Sequence, residues 1–119
     1  MPAPSPGTPH DGLAFGSARV IVIGDAMLDR YVDGAVPRIS PEAPIPVLQV
    51  REDRSVAGGA ANAAMNIAGL GATTTLIASW GVDESGRELE RLLIGANVAF
   101  TRITRGSAPT IEKLRVVAG

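Results

Sequence analysis

Val20-Ile21-Val22-Ile23 is an unbroken β-branched run closed by Gly24, and it restricts the fold more than any other stretch of the chain. Successive strand side chains point to opposite faces, so a run that is apolar at every position predicts a strand buried on both faces. Parallel sheets of α/β domains are built from such strands. The chain is 119 residues long, enough for one domain with a single core. Aromatic residues make up only 3% of it, so that core must be assembled from Val, Ile, Leu and Ala.

Ahead of this run, Pro2, Pro4, Pro6 and Pro9 alternate with small polar residues. Such a composition buries too little apolar surface to offset ordering entropy, and residues 1–17 are expected to form a disordered tail. Two short runs, 31–36 and 45–51, flank the Pro-rich connection Pro37-Arg38-Ile39-Ser40-Pro41-Glu42-Ala43-Pro44. Prolines at their margins favour edge or excursion strands, giving a small β flap that projects from the main sheet.

Residues 60–70 read as a helix of small residues packed through Met65, Ile67 and Leu70, with Gly69 and Gly71 as its stop signal. A strand at 73–79 follows. Residues 83–94 form an amphipathic helix, with Leu89, Leu92 and Leu93 in one stripe and Glu84, Arg87, Glu88 and Arg91 facing water. Gly95 is its expected C-cap, and strands follow at 98–103 and 110–117. The order strand, flap, helix, strand, helix, strand describes an α/β layered domain rather than a bundle or a sandwich.

Several chemistries are excluded at once. With 11 Lys plus Arg against 12 acidic residues, there is no positive field to hold nucleic acid or an anionic membrane. No apolar run approaches the roughly 20 residues of a membrane helix, and residues 1–17 lack the basic and apolar regions of a secretory signal. The chain has no cysteine and a single histidine, His10, which excludes disulfides, thiolate catalysis, cysteine zinc sites and a His-rich metal site among these residues. A cytoplasmic protein with no metal site of its own is expected.

Gly58-Gly59-Ala60-Ala61-Asn62 places two residues without Cβ directly before a helix. The backbone there can turn tightly, a ligand can approach it closely, and the free N–H groups of the helix start would point at that ligand. The Asn62 amide both donates to and accepts from hydroxyl groups. No Gly-Lys-Ser/Thr follows, so this is not a Walker loop, and the glycines do not sit between the first strand and its helix as a dinucleotide fingerprint requires. Ligands of open α/β sheets bind beyond the carboxyl ends of the strands, where Asp25 and Asp29 fall. Turn and cap roles for these aspartates stand beside a binding or paired-carboxylate role. Lys113 and Arg115, two apart on the last strand, share a face; a solvated edge and an anion site both fit them.

Gly58-Gly59-Ala60-Ala61-Asn62-Ala63-Ala64, with Gly71 and Gly81 downstream, resembles the first signature of the ribokinase and phosphofructokinase B family of carbohydrate kinases. Within that family, Gly24-Asp25-Ala26-Met27-Leu28-Asp29-Arg30-Tyr31, Arg38-Ile39-Ser40-Pro41-Glu42-Ala43-Pro44 and Lys113-Leu114-Arg115-Val116 most resemble the kinases of D-glycero-β-D-manno-heptose 7-phosphate. The resemblance covers residues 18–118. It implies a ribokinase-like, Rossmann-type α/β layered domain with a β lid, in which this chain is the N-terminal, sugar-binding part.

By the same resemblance, Asp29 and Asn62 hold sugar hydroxyls, Gly58 and Gly59 let the sugar lie on the backbone, Lys113 and Arg115 hold the existing phosphate, and Arg38 on the lid is a further substrate contact. The reaction implied is transfer of phosphoryl from ATP, with Mg2+, to O1 of the heptose 7-phosphate, supplying ADP-heptose for lipopolysaccharide. The lid implies a homodimer. The family's Gly-Ala-Gly-Asp motif, which carries the general base, and its adenine pocket do not occur in these 119 residues, so the segment alone is expected to be inactive and to bind no nucleotide tightly. A non-catalytic sugar-phosphate-binding or dimerising module, and a family kinase for another sugar, are the competing readings.

Overall fold

A computed structural model describes residues 15–118; the greater part of the expected disordered tail, residues 1–14, lies outside them. The elements run β1 (Arg19–Ile23), β2 (Ala26–Ile39), β3 (Pro46–Gly59), α1 (Ala60–Gly69), β4 (Thr73–Ser79), α2 (Glu84–Gly95), β5 (Ala99–Ile103) and β6 (Glu112–Ala118). They make two three-stranded sheets, a parallel one in the order β1-β4-β5 and a second in the order β3-β2-β6. This is the expected α/β layered arrangement with a separate β lid.

Both helices follow from local sequence. α1 is rich in alanine, the best helix former, and ends where Leu70 is followed by Gly71 at φ +102°. α2 begins at Asp83, whose carboxylate accepts the Gly86 N–H at 2.7 Å, satisfying a donor that the first helical turn leaves free. At its other end the expected Gly95 cap is the last helical residue; Ala96 is the C-cap and Asn97 takes the left-handed conformation at φ 61°. Asparagine tolerates that region because its short amide bonds locally.

The core lies between the parallel sheet and these helices. Leu76 of β4 and Leu89 and Leu93 of α2 are fully buried, and Ala61 and Ala64 of α1 join them. Trp80 packs edge-on against Phe100 with ring centroids 5.4 Å apart.

Three expectations need correction. β1 is not buried on both faces: Ile21 and Ile23 are 64% and 74% exposed, while Val22 packs against the core. α1 enters β4 and α2 enters β5, and both crossovers move the same way across the sheet. Right-handed connections then put both helices on one face. The flap strands are also far longer than 31–36 and 45–51: β2 and β3 pair from Ala26 opposite Gly59 to Ile39 opposite Pro46, with register shifts between Asp33 and Gly34 and between Ala35 and Arg38. Finally, the last strand does not extend the parallel sheet. β6 joins the lid, parallel to β2 from Leu28 opposite Glu112 to Gly34 opposite Ala118, which makes β2 central rather than an edge. Pro37 is accommodated because it falls beyond the reach of β6 and beside a register shift in the β2–β3 ladder.

Candidate functional site

The lid ladder decides which side chains meet. Directly paired residues share a face, so Asp29 of β2 stands with Lys113 of β6, and the next row holds Tyr31 with Arg115 on one side and Arg54 of β3 on the other. Asp29, Tyr31, Lys113 and Arg115 line a small cavity of about 150 Å³. Asp29 is therefore a strand residue, not a turn or helix-cap aspartate.

Gly58 touches the same carboxylate. A Cβ at position 58 would lie 2.7 Å from Asp29 Oδ2 and 2.8 Å from Met27 Cγ, so glycine is the residue that lets Asp29 occupy this position. Gly59 is held at φ +59°, and a Cβ there would collide with the Asp25 carbonyl oxygen. That same oxygen accepts the Ala60 N–H at 2.8 Å. Asp25 thus fastens the start of α1 through its backbone, whereas Asp29 approaches through its side chain.

Two polar features are left over for a ligand. Asp29 Oδ1 is buried and has no hydrogen-bond partner, an arrangement that costs about 1–3 kcal/mol when nothing else fills it. No side chain caps α1; the Ala60 N–H is taken by the Asp25 carbonyl, and the N–H groups that follow it in the first turn have no capping side chain. Asn62 is exposed on that first turn. The carboxylate accepts hydroxyl protons, the amide both donates and accepts, and the glycines remove bulk, which together suit a polyhydroxylated ligand. Among the described residues no group of three or more His, Cys, Asp or Glu side chains could hold a metal ion.

Lys113 and Arg115 have no carboxylate within 4.0 Å among the described residues. Arg38 stands apart. It pairs with Val47 near the far end of β2, nine residues from Asp29 or roughly 30 Å along an extended strand, and it lines a separate cavity with Pro37, Val47, Leu48 and Gln49. The structure does not bring it to Asp29.

A larger cavity, about 680 Å³, lies on the opposite face of the lid against α2. There Arg30 donates through Nε to Asp53 Oδ1 at 2.9 Å and approaches Glu112 at 3.6 Å. The hydrogen bond from Arg30, joined by its charge, holds the Asp53 carboxyl below the usual range, and the bond to Asp53 holds the Arg30 guanidinium above its ordinary value. Arg91 is likewise paired with Glu88. Within each of these pairs the charges neutralise one another.

Two features escaped the sequence reading. One is Tyr31 with Arg54, which became neighbours of Arg115 only through strand pairing. The other is a clip at the root of β6. Thr110 donates its hydroxyl to Asp83 Oδ1 at 2.7 Å and its N–H to Oδ2 at 2.9 Å, and accepts the Gly81 N–H at 2.9 Å. The spacing of Gly81 and Asp83 before a helix signals a cap, but the partner 27 residues on has no local signature.

Comparison with known proteins bears on the same segment. Residues 17–119 match the pfkB family carbohydrate kinase description. The bifunctional protein HldE of Haemophilus ducreyi is 51% identical over 106 residues, covering 89% of this chain and 22% of that protein. A carbohydrate kinase from Agrobacterium tumefaciens superposes with a TM-score of 0.68 at 26% identity, over 83% of this chain and 31% of that one. The tetrameric inhibited form of phosphofructokinase-2 from Escherichia coli gives 0.64 at 27% identity, over 83% and 31%. This chain spans about a fifth of the length of the curated relatives it matches. The match runs through both sheets and both helices, and the chain belongs to the pfkB family of carbohydrate kinases.

Proposed function

We propose that this chain is the sugar-binding part of an ATP-dependent kinase that phosphorylates D-glycero-β-D-manno-heptose 7-phosphate at O1, in the supply of ADP-heptose for lipopolysaccharide. The observation that carries the reading is the buried, unpartnered Asp29 Oδ1 set beside Gly58 and directly opposite Lys113 in the ladder. Asp29 and Asn62 take sugar hydroxyls, Gly58 and Gly59 form the floor, and Lys113 and Arg115 take the phosphate already on the sugar. Arg38 serves as a lid contact only when the far end of β2 folds over the ligand. Family membership and the identity with HldE support the kinase assignment.

ATP and its Mg2+ belong to the complete enzyme. Phosphoryl transfer relies on positioning and on stabilising the transferring group, and the Gly-Ala-Gly-Asp base motif is not in these 119 residues. Water exclusion by the lid favours attack by sugar over hydrolysis. The lid also serves as the homodimer contact, supported by its exposed Val36, Ile39 and Val50. A Val50→Lys substitution should then lower the sedimentation coefficient; an unchanged value contradicts the lid dimer.

Calorimetric titration of the full chain with the heptose 7-phosphate, the same heptose without phosphate, and ATP tests the substrate assignment. Binding of the sugar phosphate, weakened about tenfold or more by Lys113→Ala or Arg115→Ala, is the expected result. Equal affinity for the two sugars, unaffected by either substitution, contradicts it and favours a kinase for an unphosphorylated sugar.

A further inference from the structure

Of the row formed by Arg54, Tyr31 and Arg115, only Arg115 has so far been given a role in the sugar site, and Arg54 has none. Tyr31 stands opposite Arg54 on β3 and opposite Arg115 on β6, so the three side chains leave the same face of three adjacent strands. The Arg54 guanidinium carbon is 4.6 Å from the Tyr31 ring centroid and that of Arg115 is 5.7 Å from it, both within cation–π range. Two like charges have thus been drawn to one ring, with Lys113 in the row before.

Nothing else in the described structure explains this concentration of cations. Arg54 has one weak ion pair, Nε to Glu52 at 3.9 Å, in which both side chains are more than half exposed. Lys113 and Arg115 have none within 4.0 Å among the described residues. The adjacent row on β2 and β3 carries Asp33 and Glu52, which bounds the positive patch on its far side. Such a patch suits a compact dianion. A guanidinium presents a flat fork to two phosphate oxygens, and an ammonium presents a point charge to one.

We propose that Arg54 is a third cation of the phosphate site, and that Tyr31 is a positioning residue whose ring holds Arg54 and Arg115 over the same volume. The inference rests on the sugar-phosphate reading and extends it: the phosphate is held from both strands that flank β2. One row along a strand is roughly 7 Å. A sugar whose hydroxyls meet Asp29 therefore reaches the Tyr31 row with a phosphate at its far end, and an unphosphorylated sugar leaves that row empty.

The test uses calorimetry on the full chain with heptose 7-phosphate and with the unphosphorylated heptose. Arg54→Ala should weaken the phosphorylated ligand about tenfold and leave the other unchanged, with Arg54→Lys in between. Tyr31→Leu should lose about fivefold for the sugar phosphate and add little to Arg54→Ala, whereas Tyr31→Phe, which keeps the ring face, should restore affinity. Arg54 is exposed, so its variants decide the matter even where Tyr31→Leu does not fold. Full affinity in Arg54→Ala beside a loss in Arg115→Ala overturns this proposal and leaves the sugar-phosphate reading intact. Full affinity in both Lys113→Ala and Arg115→Ala overturns that reading, and this proposal with it.

Discussion

Asp29 and Gly58 form a pair whose members fail in different ways when changed. A methyl at position 58 would press on the Asp29 carboxylate and Met27, so Gly58→Ala should destabilise the fold by about 1–3 kcal/mol, the usual cost of overpacking, and weaken sugar binding as well. Asp29→Ala should separate the two effects. It removes a buried oxygen that has no partner, so the melting temperature should hold or rise while sugar binding is lost. A fall in stability equal to that of Gly58→Ala would mark Asp29 as a structural residue. The glycine pair and Asp29 were legible in the sequence because a turn before a helix and an aspartate beyond a strand have local signatures. Their contact was not legible, since it depends on β2 and β3 pairing across the intervening lid.

At the scale of elements, Asp83 ties the start of α2 to the root of β6. The Thr110 hydroxyl is the main cause of a carboxyl held below its ordinary value, followed by the Thr110 N–H, with burial opposing and the Gly86 N–H and Arg87 assisting. A carboxyl whose folded value is depressed stabilises the fold fully above the unfolded value of about 4 and ceases to do so as pH falls through the folded one. The chain should therefore lose stability below about pH 4, and Asp83→Asn should flatten that slope, with Asp53 and Glu88, also depressed, accounting for what remains. An unchanged slope in chemical denaturation at pH 3–5 contradicts the clip.

The helices and β4 could be read from periodicity because their partners are a few residues away. The lid could be read only as a flap, because residues such as Arg30, Asp53 and Glu112 make it a sheet through pairings 20 or more residues apart. The placement of β6 beside β2 left no trace in the local pattern of Glu112–Ala118, in which every residue is exposed.

The described residues together form a slab of 68 × 41 × 17 Å with a radius of gyration of 19.2 Å, against roughly 13–14 Å for a compact domain of this length. One helix layer covers one face of the parallel sheet, and Ile21 and Ile23 face outward from the other. An exposed apolar face of this kind promotes association. The double substitution Ile21→Lys, Ile23→Lys should reduce concentration-dependent sedimentation with a stability change of about 0.5 kcal/mol or less per site, as for surface positions. A loss of several kcal/mol in the double variant would instead place these residues in a core. The β-branched run that read as a doubly buried strand is explained by the same geometry: its sequence has the apolar content for two covered faces, and its crossovers cover one.

The central claim is that Asp29, the Gly58-Gly59 turn, Asn62 and Lys113 form one sugar-phosphate site. Backbone amide chemical shifts of the full chain, followed during titration with heptose 7-phosphate, test it most directly. Saturable shifts with a common dissociation constant at Asp29, Gly58, Gly59, Asn62 and Lys113 are predicted. Shifts confined to the far end of the lid around Arg38 and Val47, or to the α2 face around Arg30 and Glu88, would contradict it.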